Sequence, residues 1–160
     1  MDLTHLHLMI THLPIYGSIL GALVLTYGLI TKSEHVKMAA CFVLFISALG
    51  GVIAFSTGEA AEETVENIQG ISKNLIEEHE EFAEVTFSVI IALGIASLAG
   101  LLLIWKKSKL TNAVSVVALI LSLVCVGMSS WTGYLGGKIR HTEIANEAMQ
   151  RQNAAETHED

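Results

Sequence analysis

What this chain has little of narrows its chemistry before any motif is considered. Proline occurs once, at Pro14, and cysteine twice, at Cys41 and Cys125. No Cys-x-x-Cys-His sequence is present, which excludes covalent c-type haem attachment. The two cysteines fall singly inside apolar runs, as inert buried thiols do. There is no Gly-x-Ser-x-Gly elbow and no nucleophile–base pair to suggest a hydrolase. Charge is the scarcest commodity: only 16% of residues carry one, against 52% hydrophobic.

The scarcity is localised. Charges all but avoid four stretches, 13–30, 38–55, 82–105 and 113–131. Each stretch is about 18–24 residues long, enough to cross ~30 Å of hydrocarbon at ~1.5 Å per residue. A soluble four-helix bundle would place Lys or Glu at every third or fourth position on its outer face, and these runs do not. The chain therefore reads as one all-α integral membrane domain. Its short loops make it a four-helix up-down-up-down bundle embedded in the lipid bilayer. No internal repeat and no nucleic-acid-binding pattern is visible. The segment 142–160 reads as a polar, partly mobile tail.

The charges that remain are sorted by position. Segment 31–37 carries Lys32 and Lys37 with Glu34, and segment 106–109 carries Lys106, Lys107 and Lys109. Segment 56–81 instead holds eight glutamates against Lys73 alone. Basic loops stay on the cytoplasmic side, so both termini and the acidic connection are expected outside, in the periplasm of a bacterial inner membrane. The acidic connection is expected to extend helices two and three beyond the membrane, turning at Gly70 with Ser72 as an N-cap.

Four histidines, His7, His12, His79 and His141, lie at or near run boundaries on that same outer side. A bilayer has no reason to collect imidazoles on one face, whereas a metal or haem site has one. Glu77, Glu80, Glu81 and Glu84 form one helical stripe, and His79 sits about 200° round from it among Leu75, Phe82, Ala83 and Thr86. The acids are expected to face out and His79 in. This disfavours a carboxylate-bridged di-metal centre, which needs acid and imidazole on one face. His7 and His12 are about 140° apart on a continuous helix and are expected to serve different sites. With helices one and three diagonal, His12 is expected to face His79, leaving His7 and His141 as a second, outer pair. Pro14 breaks helical regularity just after His12, and the glycines of segment 131–137 permit a sharp turn before His141 or a close approach to something flat.

The motifs His7-Leu-Met-Ile-Thr-His12-Leu-Pro14, Thr57-Gly-Glu59-Ala-Ala-Glu62-Glu63, Glu78-His79-Glu80-Glu81 and Trp131-Thr-Gly-Tyr-Leu-Gly-Gly137-Lys-Ile-Arg-His141 keep an order found elsewhere. Together they resemble the bacterial membrane family called domain of unknown function 2231. Leu8 and Leu13 stand where that family commonly has Pro and Phe. The resemblance implies a four-helix membrane fold and importance for His7, His12, His79 and His141; it implies no activity.

Two inward histidines on facing helices are what a bis-imidazole haem b needs, with one or two haems accommodated by four ligands. A Cu, Zn or Fe site built from three or four imidazoles would draw on the same residues. The functional expectation is a b-type cytochrome-like electron carrier, with a periplasmic or membrane redox partner, rather than a stand-alone enzyme. The alternatives are a metal-sensing, storage or delivery protein and a structural subunit of a larger assembly, including a homo-oligomer. The charge sorting also fixes an outcome in cells: a cysteine placed at Lys107 should resist an impermeant thiol reagent added outside. Labelling there in intact cells would reverse the topology.

Overall fold

The computed structural model describes residues 3–58, 60 and 73–156. Every described element is an α-helix: α1 (Leu3–Ile10), α2 (His12–Ile30), α3 (Glu34–Ser56), α4 (Lys73–Trp105) and α5 (Thr111–Glu156). The expected turn at Gly70 and cap at Ser72 lie outside the described residues. Helices α1 and α2 meet at Thr11, whose backbone stays right-handed at φ −58° and ψ −23°. The two pieces thus act as one rod with its irregularity just before Pro14, which lacks the N–H that would bond to the Ile10 carbonyl.

Both short connections are built alike. Lys32 and Lys107 are the non-glycine residues at positive φ, at 54° and 50°. Ser33 N–H bonds back to the Gly28 carbonyl and Ser108 N–H to the Leu103 carbonyl, both at 3.0 Å. This is the six-to-one closure of a Schellman cap, with lysine occupying the left-handed position usually given to glycine. Ser33 then caps α3 by accepting from Val36 N–H, and Glu34 sits in its first turn, where the helix dipole favours an acid.

The helices close into a ring in which α2 packs on α3, α3 on α4, α4 on α5 and α5 on α2, while the diagonals scarcely touch. Close approach comes from small residues at the crossings. A Cβ on Gly17 would lie 2.7 Å from Ser47 Cβ, and one on Gly51 would lie 2.8 Å from Ile90. These are the small residues whose spacing marked the first two runs. Leu25, Leu44, Leu93, Cys41 and Cys125 fill the centre. Leu23, Ile95, Leu102 and Leu123 point outward, the inverse of a soluble bundle. Four helices are long and apolar enough to cross a membrane.

At the basic end Lys37 is only 1% exposed, yet it is fully engaged. Its Nζ donates to Glu34 Oε1 at 2.6 Å and to Asn112 Oδ1 at 2.8 Å. The second bond ties the first turn of α3 to the first turn of α5, so both hairpins start level. Exposed Trp105 ends α4 at this level, and exposed Trp131 stands about 30 Å along α5 from its start, a spacing that matches two interfacial aromatic belts.

One expectation fails here. The helix of α5 continues unbroken to Glu156, so no turn forms in segment 131–137. The glycines there serve packing rather than turning: a Cβ on Gly133 would lie 3.3 Å from Ile15 Cδ1. Glycine in a helix costs only about 1 kcal/mol, which the neighbouring contacts outweigh.

One of these approaches meets backbone rather than side chain and is open to test. A Cβ on Gly28 would lie 2.9 Å from the backbone nitrogen of Lys37, where no side chain can yield. Gly28→Ala should destabilise by about 1–3 kcal/mol through overpacking, seen as a lowered Tm in detergent.

Candidate histidine site

The outer end of the bundle collects polar groups around backbone carbonyls. Ala54 lies in the last turn of α3, where its carbonyl accepts from Thr57 N–H at 3.3 Å and from Thr57 Oγ1 at 3.1 Å. His7 Nδ1 donates to that carbonyl at 2.8 Å, and Thr57 Oγ1 lies 3.4 Å from the same nitrogen. Across the bundle, His79 Nδ1 donates to the Thr132 carbonyl of α5 at 3.1 Å. A carbonyl oxygen only accepts, so both rings carry their proton on Nδ1. In the neutral ring Nε2 then holds the free lone pair.

Glycine completes each arrangement. Gly58 stands four residues after Ala54, and a Cβ there would lie 3.7 Å from His7 Cε1. Gly136 stands four residues after Thr132, and a Cβ there would lie 3.2 Å from His79 Cε1. In a helix the carbonyl of residue i points toward residue i+4, so a bare Cα at that place opens the carbonyl to a ring from a neighbouring helix. The same device, a histidine on the first helix of a hairpin and a carbonyl with glycine four residues on in the second, occurs once in each half of the chain. Each arm of the second hairpin, measured from its histidine or carbonyl to the left-handed lysine, is three residues longer than its counterpart. The two hairpins thus share a histidine–carbonyl bond and a left-handed lysine at corresponding places.

The two imidazoles are near enough for the charge of His7 to act on His79. Both are half-buried. Beneath them Thr86 Oγ1 and Thr132 Oγ1 share a hydrogen bond of 3.0 Å. His79 stands about 39 Å from the Trp105 end of α4 and His7 about 35 Å from the Ile30 end of α2, both beyond a ~30 Å hydrocarbon layer.

The expected pairing is therefore corrected. His7, not His12, is the imidazole whose charge acts on half-buried His79. The 140° that separates His7 from His12 on one rod puts only one of them inside. His12 is exposed, bonds back to the Leu8 carbonyl of its own helix at 3.1 Å and stacks on Tyr16 at 6.2 Å between ring centroids. His141 is exposed on α5, and His5 and His35 are exposed as well. No second, outer pair of His7 and His141 forms. The glutamate stripe behaves as its spacing requires: Glu77, Glu80, Glu81 and Glu84 are exposed while His79 turns inward. Among the described residues no group of three or more His, Cys, Asp or Glu side chains is placed to hold a metal ion. The sequence reading passed over Thr132, Thr57, Gly58 and the separate importance of Gly136. The Gly58 and Gly136 spacing, four after an otherwise ordinary helical residue, is the signal that was available.

Gly136→Ala measures how tightly this device is held. The added methyl presses on the His79 ring at 3.2 Å, closer than ordinary van der Waals contact. The ring should shift off the Thr132 carbonyl at a cost of about 1 kcal/mol, the worth of one such bond. Imidazole nitrogen resonances of His79 should move in NMR spectra of the labelled protein, whereas Gly137→Ala, with nothing within 4 Å, should leave them in place.

No curated protein and no solved structure matches this chain. Its sequence does match, over residues 4–144, the profile of the family DUF2231, described as a predicted membrane protein, and the chain belongs to that family.

Proposed function

We propose that the protein is a membrane-anchored b-type haem protein that carries one haem between His7 and His79. The observation that carries this reading is the matched pair of anchored imidazoles. Each Nδ1–H is fixed on a backbone carbonyl, which is the outer-shell arrangement that orients a histidine ligand and raises its basicity. Each Nε2 is left as the donor atom. The donor set fits the group: a porphyrin supplies four nitrogens of its own and asks the protein for two, from opposite sides. Gly58 and Gly136 keep side chains away from the outer edges of both rings.

Haem iron bound there would add a one-electron couple to a chain that otherwise has no redox group at this end. The residues around it divide the remaining work. The Ala54 and Thr132 carbonyls hold the ring planes, and Thr57 supports His7. The half-buried setting limits water at the axial nitrogens. With the basic end in the cytoplasm, the site stands at the outer membrane surface, suited to exchange with a redox partner there rather than to transfer across the bilayer. A Cu, Zn or Fe centre is the alternative, and it needs three or four protein ligands where the described residues bring together two.

An ultraviolet–visible spectrum of the detergent-purified protein separates these readings. A Soret band that sharpens on reduction is expected, with low-spin character. His7→Ala and His79→Ala should each remove the haem or turn it high-spin, because one axial nitrogen is lost while the other stays. His12→Ala, His35→Ala and His141→Ala should leave the spectrum as it was. A colourless protein with a stoichiometric transition metal by elemental analysis would replace haem with the metal reading. A full low-spin spectrum in His79→Ala would overturn the assignment of the pair.

A further inference from the structure

The bundle interior is not uniformly apolar. On α5 the inward polar positions are Thr111, Ser115, Ser122, Cys125, Ser129 and Thr132, all buried but half-buried Thr132, with apolar Ala118 between Ser115 and Ser122. Ser18 on α2, Ser47 on α3 and Ser97 on α4 join them, each at most 1% exposed. Measured from the basic end at about 1.5 Å per residue, Ser115 stands about 6 Å up, Ser97 about 12 Å, Ser122 about 16 Å and Ser18 about 18 Å. Cys125, Ser129 and Thr132 continue to the level of the histidines. Protic side chains thus recur along the whole thickness of the membrane.

Many of them touch. Ser47 and Ser18 hydroxyls lie 3.2 Å apart, Ser18 donates to Cys125 Sγ at 3.5 Å, and Cys125 lies 3.6 Å from Ser129 Oγ. Above these, the Thr86–Thr132 pair sits beside His79. Below the midplane, Ser97 Oγ and Ser115 Oγ are buried with no hydrogen-bond partner at all. Serine in a helix ordinarily bonds a carbonyl of its own preceding turn, as Ser56, Ser88 and Ser122 do here. Ser97 and Ser115 forgo that bond. A buried hydroxyl without a partner is costly, and a single water between groups of this kind is the usual remedy.

We propose that this column is a proton path joining the Lys37–Glu34–Asn112 cluster at the basic end to the histidine pair at the other. Each hydroxyl or thiol takes a proton on a lone pair and releases the one it held, so charge moves and no residue is changed. Water at Ser97 and Ser115 bridges the stretch where direct bonds are missing. Glu34, half out in solvent, is the entry at the basic end. The path does not depend on what the histidines bind, since the groups that form it are the chain's own.

The test uses the full-length protein in vesicles with a pH-sensitive dye inside and a potassium diffusion potential set by valinomycin. Proton flux should exceed that of protein-free vesicles. The Ser97→Ala/Ser115→Ala protein should fall to the protein-free rate, and Ser115→Ala alone should show a partial loss. Ser88→Ala, at an exposed position, should conduct like the parent. Removing two unpaired hydroxyls should leave thermal stability unchanged or raised, so loss of flux is not loss of fold. If the serines serve packing only, the double variant gains stability and keeps the parent's flux, which overturns the proposal. Parent vesicles no leakier to protons than protein-free ones overturn it too. Neither result bears on the haem spectrum, which is read separately.

Discussion

Two imidazole–carbonyl hydrogen bonds organise the end of this bundle away from its basic loops. Each runs between the two helices of one hairpin: His7 to Ala54 in the first, His79 to Thr132 in the second. Each fixes a tautomer, since the carbonyl takes the Nδ1 proton and frees Nε2. Each also sets ring orientation from the backbone rather than from a rotatable side chain. The direction in which the two Nε2 atoms point then depends on how the hairpins pack, and that packing is set lower down, by the Gly17–Ser47 and Gly51–Ile90 approaches and the Lys37–Asn112 tie.

That dependence explains why the chain uses the same device twice. The two hairpins are levelled at the basic end by matching Schellman caps at Lys32 and Lys107, and His79 then stands about 4 Å farther along its helix than His7 does along its own. The second hairpin is longer by nearly one helical turn in both arms, so its histidine and its carbonyl rise together and their bond is preserved. Lengthening one arm alone would have broken it.

The architecture was legible in the sequence because hydrocarbon imposes a blunt rule. Runs of about 20 apolar residues with basic loops leave few choices of fold. The inward turn of His79 was legible too, from its angular offset against Glu77, Glu80, Glu81 and Glu84. The partner of His79 was not. Periodicity states that His7 and His12 lie 140° apart but not which of them faces the axis. That is decided by rotation of the rod about its own axis, which Pro14, Gly17 and Ser18 fix by packing against α3 and α5. Of the two roles open to the glycines at the end of the fourth run, a turn or a close approach to something flat, Gly136 takes the second, making room for a ring in a continuing helix.

The position of the pair at the bundle's end, not its middle, follows from the supply of acceptors. At mid-membrane every helical carbonyl already serves the amide four residues on, and a side chain there covers it from the side. A ring nitrogen seeking a backbone oxygen finds one most easily where a helix stops, as α3 does just after Ala54. Where the helix runs on, as α5 does past Thr132, the oxygen's second lone pair is reachable only if residue i+4 lacks a Cβ, and Gly136 meets that condition. An imidazole at mid-membrane would meet neither condition and would stand unpaired in the least forgiving solvent the protein meets. The chemistry of the acceptors therefore sends the histidines to the membrane surface before any partner or cofactor is considered.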